Sequence, residues 1–387
     1  MNALPTLGEL PAAVRRLLVR VDFNVPLKGG QVADDFRIRA AAPTVQTLLE
    51  RQVGVTLISH LGRPGGRPNL SLSLEPLADV VARQVGCPVS FVPGVPGDSA
   101  YQQAVRSDPT VVLLAENLRF DPGEEANDPA FAARLASGHD GFVQDAFGTL
   151  HRSHASTVAV TKTLPSWAGP LVAAEVAALD ALLSDPRRPF GLVVGGAKMQ
   201  DKLPLLRRLL PEVDTVLIGG ALASTFLAAS GLAVGASLYE PGELDSARLL
   251  LDAWPDVIHL PDSVVVERAG GVEEVSAAEV LSDARIMDVG RRTLNAWRPM
   301  VAGLGRLFWN GPIGFYERPP FDQGTAQLAR FVGEMTGMSV VGGGDSLAAV
   351  RRLGLEASIS HLSTGGGAAL AYLEGDVLPG LMALEER

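Results

Sequence analysis

Short runs of apolar residues alternate along the chain with stretches in which apolar residues recur at helical spacing. In the second half, for example, Leu203, Leu206 and Leu209 fall on one face of a predicted helix. The apolar runs are nearly continuous, and they occupy residues 17–23, 55–59, 110–115, 141–146, 190–196, 215–220, 306–311 and 338–344. Continuous apolar strands separated by helices are typical of parallel sheets that are covered on both faces. The pattern therefore predicts an α/β fold with two doubly wound, Rossmann-like parallel-sheet domains.

The pattern is interrupted near residues 162–170, where Pro165, Gly169 and Pro170 lie close together. Proline and glycine mark breaks between elements, and a long helical stretch starts directly after them. A chain of 387 residues is also too long for one ordinary hydrophobic core. We therefore expect two domains joined by a hinge at this point.

Composition and charge narrow the classes of partner. A net charge of −10 argues against a nucleic-acid binder, although a local basic cleft for a small phosphorylated molecule is compatible with it. No apolar run reaches the roughly 18 residues of a membrane helix, and the N-terminal residues do not resemble an export signal. A single cysteine, Cys87, excludes an internal disulfide and suits a reducing compartment. We expect a cytoplasmic protein.

Four predicted strands in the second half run into glycines that are followed by a helix. The segments are 195–202, 218–226, 342–350 and 363–373. Glycine lets the backbone approach a ligand closely, and a helix N-terminus presents free N–H groups, so the combination is typical of a phosphate site. The chain contains no Gly-Lys dipeptide and no G-x-G-x-x-G after a strand, so neither a P-loop nor a dinucleotide fingerprint is present.

Lysine is rare in this chain, since arginine supplies most of its 33 basic residues. Two of the few lysines, Lys198 and Lys202, lie together in the first glycine segment. This clustering is either chance or a requirement for a compact ammonium group where a planar guanidinium would not fit.

Basic residues stand at or near the predicted strand ends of the first half. They are Arg20, Arg37, His60, Arg63, Arg119 and Arg152. The arginine fork matches carboxylate and phosphate oxygens, so the set suits a small polyanion. Any one arginine could equally be a surface charge or part of an ion pair, and His60 could be a core histidine. Asp22 and Asn24 either orient the arginines, bind a substrate hydroxyl or form the turn before Pro26.

These motifs resemble the phosphoglycerate kinase family. RVDFNVPL, SHLGRP, ENLRF, DAFGTLHRSHAST, GGAKMQDK, WNGPIGFYE, GGGDS and STGGGAALAYLEG occur in the family's order, from about residue 17 to the C-terminus. The resemblance implies that residues 1–167 form a phosphoglycerate-binding domain and residues 168–365 a nucleotide-binding domain. It also implies that residues 366–387 return to pack on the N-terminal domain.

The resemblance further implies a set of site residues. The substrate-binding residues would be Asp22, Phe23, Asn24, Arg37, His60, Leu61, Gly62, Arg63, Arg119 and Arg152. The nucleotide-binding residues would be Gly196, Lys198, Lys202, Gly219, Gly220, Gly290, Asn310, Glu317, Gly343, Gly344, Asp345 and Ser346. Asp345 would bind Mg²⁺, Glu317 would bind the ribose, and Glu175 and His361 would link the two domains near the hinge. The catalytic residues would be Arg37, Lys198, Lys202, Gly344 and Gly367.

The reaction implied by the resemblance is reversible, Mg²⁺-dependent phosphoryl transfer between 1,3-bisphosphoglycerate and ADP, giving 3-phosphoglycerate and ATP. The acceptor carboxylate is ionised at neutral pH, so catalysis needs positioning and charge neutralisation rather than a general base. The family implies a monomer with small-molecule partners only, and domain closure would exclude water. Two other classes stay open: a kinase for another small phosphorylated acid, and a non-catalytic binding protein. A dehydrogenase is disfavoured because the dinucleotide fingerprint is missing.

Overall fold

The chain forms two compact units. The computed structural model describes residues 4–107 and 111–386. The first unit takes the chain up to Ala177 and again from Asp376, and the second unit comprises Ala178–Gly375. This division falls inside a helix that begins at Pro170, so the contact boundary is later than the expected boundary at 167/168. The assignment of one substrate to each unit stays a prediction.

The first unit is built on a six-stranded parallel sheet. Its strands follow the order β5-β6-β4-β1-β7-β8 across the sheet. They are β1 (Arg16–Arg20), β4 (Gly54–Ile58), β5 (Val89–Val92), β6 (Val112–Ala115), β7 (Gly141–Gln144) and β8 (Ser166–Ala168), with a small antiparallel pair, β2 (Leu27–Lys28) and β3 (Gln31–Val32). The helices are α1 (Phe36–Glu50), α2 (Ala78–Val85), α3 (Ser99–Val105), α4 (Pro122–Glu125), α5 (Pro129–Ala136) and the start of α6 (Pro170–Ser184). Thr110, in the expected run 110–115, lies outside the described residues.

Both faces of this sheet are covered by apolar side chains. Along β1, Leu17 and Val19 belong to one hydrophobic cluster, whereas Leu18 belongs to another with Ile58 and Phe142. Successive side chains of a strand point to opposite faces, so the two clusters lie on opposite sides of the sheet. The two clusters therefore confirm the parallel sheet covered on both faces that the continuous apolar runs predict.

The second unit also contains a six-stranded parallel sheet, with the strand order β11-β10-β9-β15-β16-β17. Its strands are β9 (Phe190–Val194), β10 (Thr215–Ile218), β11 (Ile258–His259), β15 (Arg306–Asn310), β16 (Met338–Gly342) and β17 (His361–Leu362). Its helices are α7 (Leu203–Leu209), α8 (Gly220–Ala229), α9 (Leu244–Ala253), α10 (Arg291–Ala302), α11 (Gln323–Glu334), α12 (Gly344–Arg352) and α13 (Gly367–Glu374). The predicted α/β architecture is confirmed for this unit too.

An antiparallel sheet in the second unit was not predicted. It consists of β12 (Ser263–Arg268), β13 (Gly271–Ser276) and β14 (Arg285–Val289), in the order β13-β12-β14. The hairpin between β12 and β13 turns at Ala269 and Gly270. A two-residue turn with glycine between β-branched runs is a hairpin signal, so the sequence did contain a local indication of this sheet.

The last helix packs within the first unit. Helix α14 (Pro379–Glu385) is anchored where the Gly380 N–H donates to the Leu150 carbonyl at 2.9 Å. A side chain at Gly380 would lie 2.8 Å from a methyl group of Leu150, so the close approach requires glycine. The tail that belongs to the first unit begins at Asp376, ten residues later than the expected tail start at 366.

A buried carboxylate fixes the start of α6 in the first unit. Asp145, which directly follows β7, accepts hydrogen bonds from the N–H groups of Leu171 and Val172 at 2.9 and 3.3 Å. The Thr44 hydroxyl donates to its other oxygen at 2.5 Å. Burial raises the pKa of Asp145 to about 6, although these three hydrogen bonds oppose the shift. The folded protein therefore bears the cost of ionising a buried carboxyl group above that pH.

We expect Asp145→Asn to increase the free energy of unfolding at pH 8. The unfolded aspartate titrates near pH 3.9, so the folded state binds more protons between about pH 4 and 6, and this residue's contribution to stability falls as the pH rises through that window. Asparagine keeps an oxygen for the two N–H groups and does not ionise. Its advantage should grow from pH 4 to 6 and reach on the order of 1–3 kcal/mol. Denaturant unfolding at pH 4.5 and 8 measures it.

Asp145→Ala provides the comparison, because alanine removes the acceptor as well as the charge. We expect this variant to be less stable than the parent at both pH values. An asparagine variant with no pH-dependent advantage would show that the carboxyl group titrates normally in the folded chain.

Candidate active site

Four loops of the first unit meet at one edge of its parallel sheet. They follow the neighbouring strands β6, β4, β1 and β7, and the carboxyl ends of parallel strands lie at the same edge. The loops carry Arg119, His60 and Arg152, Arg20 is the last residue of β1, and Arg37 approaches from α1. All four guanidinium groups act electrostatically on the His60 imidazole, which places these predicted residues in one cluster.

Asp22 and Asn24 hold Arg37 in this cluster. The Arg37 guanidinium forms an ion pair with Asp22 at 3.1 Å and donates to the Asn24 carbonyl at 3.0 Å. The Asn24 side chain also accepts a hydrogen bond from the Gly62 N–H at 3.0 Å. Asp22 and Asn24 additionally form a local turn, since the Asn24 N–H donates to Asp22 at 3.2 Å. Asp22 and Asn24 therefore both orient Arg37 and form a local turn.

Gly62 organises a second guanidinium group. The buried Arg119 side chain donates to the Gly62 carbonyl at 2.7 Å and pairs with Glu125 at 3.1 Å. Gly62 has a φ of +62°, and a side chain there would lie 2.7 Å from Leu72. The backbone conformation favours glycine, and a side chain here would also displace Leu72.

The other predicted residues of this unit differ in exposure. Arg63 is exposed, whereas Arg152 is half-buried and donates to the His151 ring at 3.1 Å. Phe23 and Leu61 are only 1% and 3% exposed and belong to the hydrophobic core. A ligand could therefore meet Phe23 and Leu61 only through their backbones.

Burial and four neighbouring guanidinium groups lower the pKa of His60 well below its ordinary value. The imidazole is therefore uncharged at neutral pH. His60 belongs to the arginine cluster by position, but it does not contribute a positive charge to it.

The glycine segments of the second unit also gather at one sheet edge. They follow the strands β10, β9, β16 and β17, whose carboxyl ends lie at the same edge as that of β15. The Lys202 ammonium contacts the Asn310 side-chain oxygen, which joins the first segment to the end of β15. Gly343, with a φ of +92°, leads into α12, and a side chain there would come within 3.1 Å of Asn310. The Ser346 hydroxyl accepts from the Gly311 N–H at 2.9 Å.

A cavity of about 580 Å³ lies in the second unit. Four predicted nucleotide contacts line it: Gly196, Gly220, Glu317 and Asp345. The rest of its wall is mainly small or apolar, and it includes Leu238 and Phe315, which are 66% and 44% exposed. Large apolar side chains left exposed at a cavity are typical of a site for a flat, partly apolar ligand.

The remaining predicted residues of the second unit lie outside the lining of this cavity. They are Lys198, Lys202, Gly219, Gly290, Asn310, Gly343, Gly344, Ser346 and Gly367. Most stand at the same strand ends, and Gly367 begins α13. Gly290 instead precedes α10, and a side chain on it would collide with Ser263 and Glu274, so it faces the antiparallel sheet.

Two acidic residues of this unit were missed by the sequence analysis. Glu240 accepts a hydrogen bond from the Met199 N–H between the two lysines, and its own N–H donates to the Thr225 hydroxyl at 3.1 Å. Asp288 is buried at the cavity wall, and burial raises its pKa to about 7, although hydrogen bonds from the Gly324 and Val289 N–H groups oppose the shift. Neither residue lies in a recognisable glycine or lysine pattern.

The fold and the two groups of strand-end residues define a class: α/β proteins of two units, each with a parallel sheet and polar or glycine-containing loops at one sheet edge. Comparison with known proteins identifies the family, because the family model for phosphoglycerate kinase matches residues 7–376. The phosphoglycerate kinase of Thermomicrobium roseum is 47% identical over 98% of this chain and 99% of its own length. The chain belongs to the phosphoglycerate kinase family.

Solved structures agree with this assignment. Phosphoglycerate kinase from Coxiella burnetii superposes with a TM-score of 0.85 at 37% identity, covering 98% of both chains. The Pyrococcus horikoshii phosphoglycerate kinase gives a TM-score of 0.90 at 28% identity, with the same coverage. The chain is therefore a nucleotide-using kinase of glycolysis that transfers a phosphoryl group to the carboxyl group of 3-phosphoglycerate, in a family that generally needs a metal ion. Within residues 4–107 and 111–386, no helix is long and apolar enough to cross a membrane.

Proposed function

We propose that the chain catalyses reversible, Mg²⁺-dependent phosphoryl transfer between 1,3-bisphosphoglycerate and ADP, giving 3-phosphoglycerate and ATP. The observation that carries this proposal is the pair of complementary sheet edges. The first unit presents a cluster of guanidinium groups that suits a phosphorylated acid. The second unit presents a nucleoside-sized cavity beside lysine and glycine segments.

In the first unit, the proposed substrate contacts are those in which the side chain is already oriented. Arg37 is fixed by Asp22 and Asn24, and Arg119 is fixed by Gly62. Preoriented guanidinium groups lose little entropy when they bind a carboxylate or a phosphate. Arg63 and Arg152 are less enclosed, so we propose that they attract the phosphate end of the substrate.

In the second unit, we propose that adenine occupies the apolar cavity and that Glu317 binds the ribose. The phosphates would then extend to Lys198, Lys202 and Asn310. They would also meet the backbone N–H groups of Gly343, Gly344 and Ser346. Gly196, Gly219 and Gly220 would lie beside the nucleotide without donating to it, because their N–H groups donate to the Pro312, Val194 and Ile313 carbonyls. Gly290 does not line the cavity, although its neighbour Val289 does, so its role as a nucleotide contact stays a prediction.

The residues present fit a magnesium ion that is held mainly by the nucleotide. Asp345 offers a carboxylate at the cavity, near Glu317, and burial and that neighbour raise its pKa. Among the described residues, no group of three or more His, Cys, Asp or Glu side chains could enclose a metal. Mg²⁺ commonly binds through one or two carboxylates and substrate phosphates, which matches this donor set. When bound, the ion would neutralise charge on the transferring phosphoryl group.

The chain's residues would then act by positioning and by charge. The carboxylate of 3-phosphoglycerate is the nucleophile, and it is ionised at neutral pH without help from a base. We propose that Arg37 orients this carboxylate, that Lys202 neutralises the transferring group, and that Lys198 holds the leaving phosphates. The N–H groups of Gly344 and Gly367 would donate to oxygens that gain charge in the transition state.

Leu238→Ala should raise the KM for ATP about tenfold and leave the KM for 3-phosphoglycerate unchanged. Covering an exposed leucine with an adenine ring contributes roughly 1–2 kcal/mol of binding energy. Steady-state kinetics with each substrate varied in turn measures the effect. Leu249→Ala is the matched control, since Leu249 is 68% exposed against 66% for Leu238, but does not line the cavity. Equal effects of the two substitutions would contradict the proposal that adenine occupies this cavity.

We further propose that the enzyme acts as a monomer in the cytoplasm, with small-molecule substrates as its partners. The single cysteine, Cys87, is half-buried and is compatible with a reducing compartment. Turnover of ATP with 3-phosphoglycerate, followed with and without a chelator, tests the metal requirement. Full turnover after chelation would contradict the magnesium proposal.

A further inference from the structure

A chain of buried polar groups runs behind the arginine cluster of the first unit. Glu124, Ser156, Arg20 and His60 are each between 0% and 4% exposed. The Glu124 carboxylate accepts from the Ser156 hydroxyl at 2.6 Å and from the Ser156 N–H at 3.0 Å. The Arg20 Nε donates to the Ser156 hydroxyl at 3.0 Å, and an Arg20 terminal nitrogen lies 3.1 Å from the His60 Nδ1.

Each hydrogen bond in this series of buried polar groups can have only one donor and one acceptor. Ser156 has one hydroxyl proton, which it gives to Glu124, so its oxygen is free to accept from Arg20. A guanidinium group can only donate, so the His60 Nδ1 must present its lone pair to Arg20. The single proton of a neutral imidazole is then on Nε2.

The surroundings of His60 also favour the neutral ring. The charged groups that act on it are Arg20 from β1, Arg37 from α1, Arg119 after β6 and Arg152 after β7, and all four are cationic. Together with burial they hold the His60 pKa well below its ordinary value. Protonation of Nδ1 would also break the hydrogen bond from Arg20.

The Glu124 carboxylate is itself held in its charged form. Burial alone would raise its pKa, but the His154 ring at 3.6 Å, the charge of Arg20 and the hydrogen bond from Ser156 lower it overall. The Glu124 carboxylate at one end accepts from both the hydroxyl and the N–H of Ser156 and so fixes this residue, and Ser156 in turn fixes the plane of the Arg20 guanidinium. Arg20 is additionally held by the Val21 carbonyl at 2.5 Å.

We propose that Glu124 and Ser156 are positioning residues that lock Arg20 and thereby present His60 to the substrate as a neutral Nε2–H donor. The inference rests on the proposed function for its ligand, an oxygen of the phosphorylated glycerate. His60 would then contribute a directed hydrogen bond rather than a charge. Its contribution to substrate binding should stay constant across neutral pH, unlike that of a titrating histidine.

Nitrogen NMR of the histidine rings tests the tautomer directly. In the parent enzyme we expect the His60 Nε2 to be protonated and Nδ1 unprotonated, with no change between pH 6 and 8. A protonated Nδ1 at any of these pH values would overturn the inference. Because this readout needs no turnover, it is separate from the proposed function, which fails only if the enzyme does not use 3-phosphoglycerate.

Ser156→Ala tests the positioning role, because it removes the acceptor of the Arg20 Nε without changing any charge. We expect the His60 ring to show mixed tautomers and the KM for 3-phosphoglycerate to rise about tenfold, while the KM for ATP is unchanged. Ser153→Ala is the control, since Ser153 is an exposed serine three residues away. An unchanged KM together with an unchanged His60 spectrum would overturn the role of Ser156.

A pair of His60 substitutions keeps the inference testable if Ser156→Ala does not fold. Glutamine can place an amide N–H near the position of Nε2, whereas asparagine reaches only the position of Nδ1. We expect His60→Asn to raise the KM for 3-phosphoglycerate at least five times more than His60→Gln does. Equal losses in the two variants would show that an Nε2–H donor is not what the substrate requires.

Discussion

Replacing Lys202 with alanine should lower the kcat for phosphorylation of 3-phosphoglycerate by about 100-fold or more. The Lys202 ammonium contacts Asn310 at the end of β15, beside the glycine segment that leads into α12. Burial lowers its pKa, and the nearby carboxylates of Asp201 and Glu374 oppose that shift. Such a group can stabilise charge that develops on a transferring phosphoryl group, and an alanine leaves nothing in its place.

The stability of the fold should change little in the same variant, because Lys202 is half-buried and belongs to no hydrophobic cluster described above. Single-turnover kinetics and denaturant unfolding, measured on the same preparations, separate the two effects. Lys28→Ala is the matched control, since Lys28 is an exposed lysine on the small β2–β3 hairpin of the first unit. A Lys202 variant that retains turnover near the parent value would exclude the lysine from the transition-state contacts.

Replacing Arg37 with alanine should lower kcat/KM for 3-phosphoglycerate by roughly 100- to 1,000-fold, with little change in the KM for ATP. The guanidinium is preoriented by Asp22 and Asn24, so its loss removes both a charge and a fixed geometry. Arg37→Lys should recover only part of the loss, because an ammonium cannot reproduce the planar fork. Steady-state kinetics in the ATP-consuming direction provides the measurement.

Arg39→Ala serves as the control on the same helix. Arg39 pairs with Asp35 at the surface, an interaction of the kind that contributes only about 0.3–0.5 kcal/mol. We expect this variant to keep parent kinetics. If Arg37→Ala and Arg39→Ala behaved alike, general electrostatic attraction would explain the data better than a specific contact.

The parallel sheets were predictable because burial on both faces leaves a direct trace in the sequence. The run that became β1 is apolar at every position between Arg16 and Arg20, which only a doubly covered strand tolerates. The antiparallel sheet was missed because β13 is mostly exposed and carries Glu273 and Glu274. A strand with little burial has no continuous apolar run, so only its glycine turn marks it.

The candidate site was predictable where a residue type and a strand end coincide. Arg37 and Lys202 stand out in the sequence, and each lies with the strand-end loops of its own sheet. Glu124 and Ser156 carry no such signal, because their positions matter only through a partner that is distant in the chain, as Ser156 and Arg20 are. The uncharged state of His60 could not be predicted from the sequence either, because it depends on burial and on four guanidinium groups from separate elements.

The most direct test of the whole account is the identity of the product made from ATP and 3-phosphoglycerate. Hydroxylamine traps an acyl phosphate as a hydroxamate, so ADP and hydroxamate can be quantified in the same reaction. We expect both to form in equal amounts with Mg²⁺, neither to form without 3-phosphoglycerate, and chelation to stop both. Formation of ADP with free phosphate and no hydroxamate would contradict phosphoryl transfer to the carboxyl group.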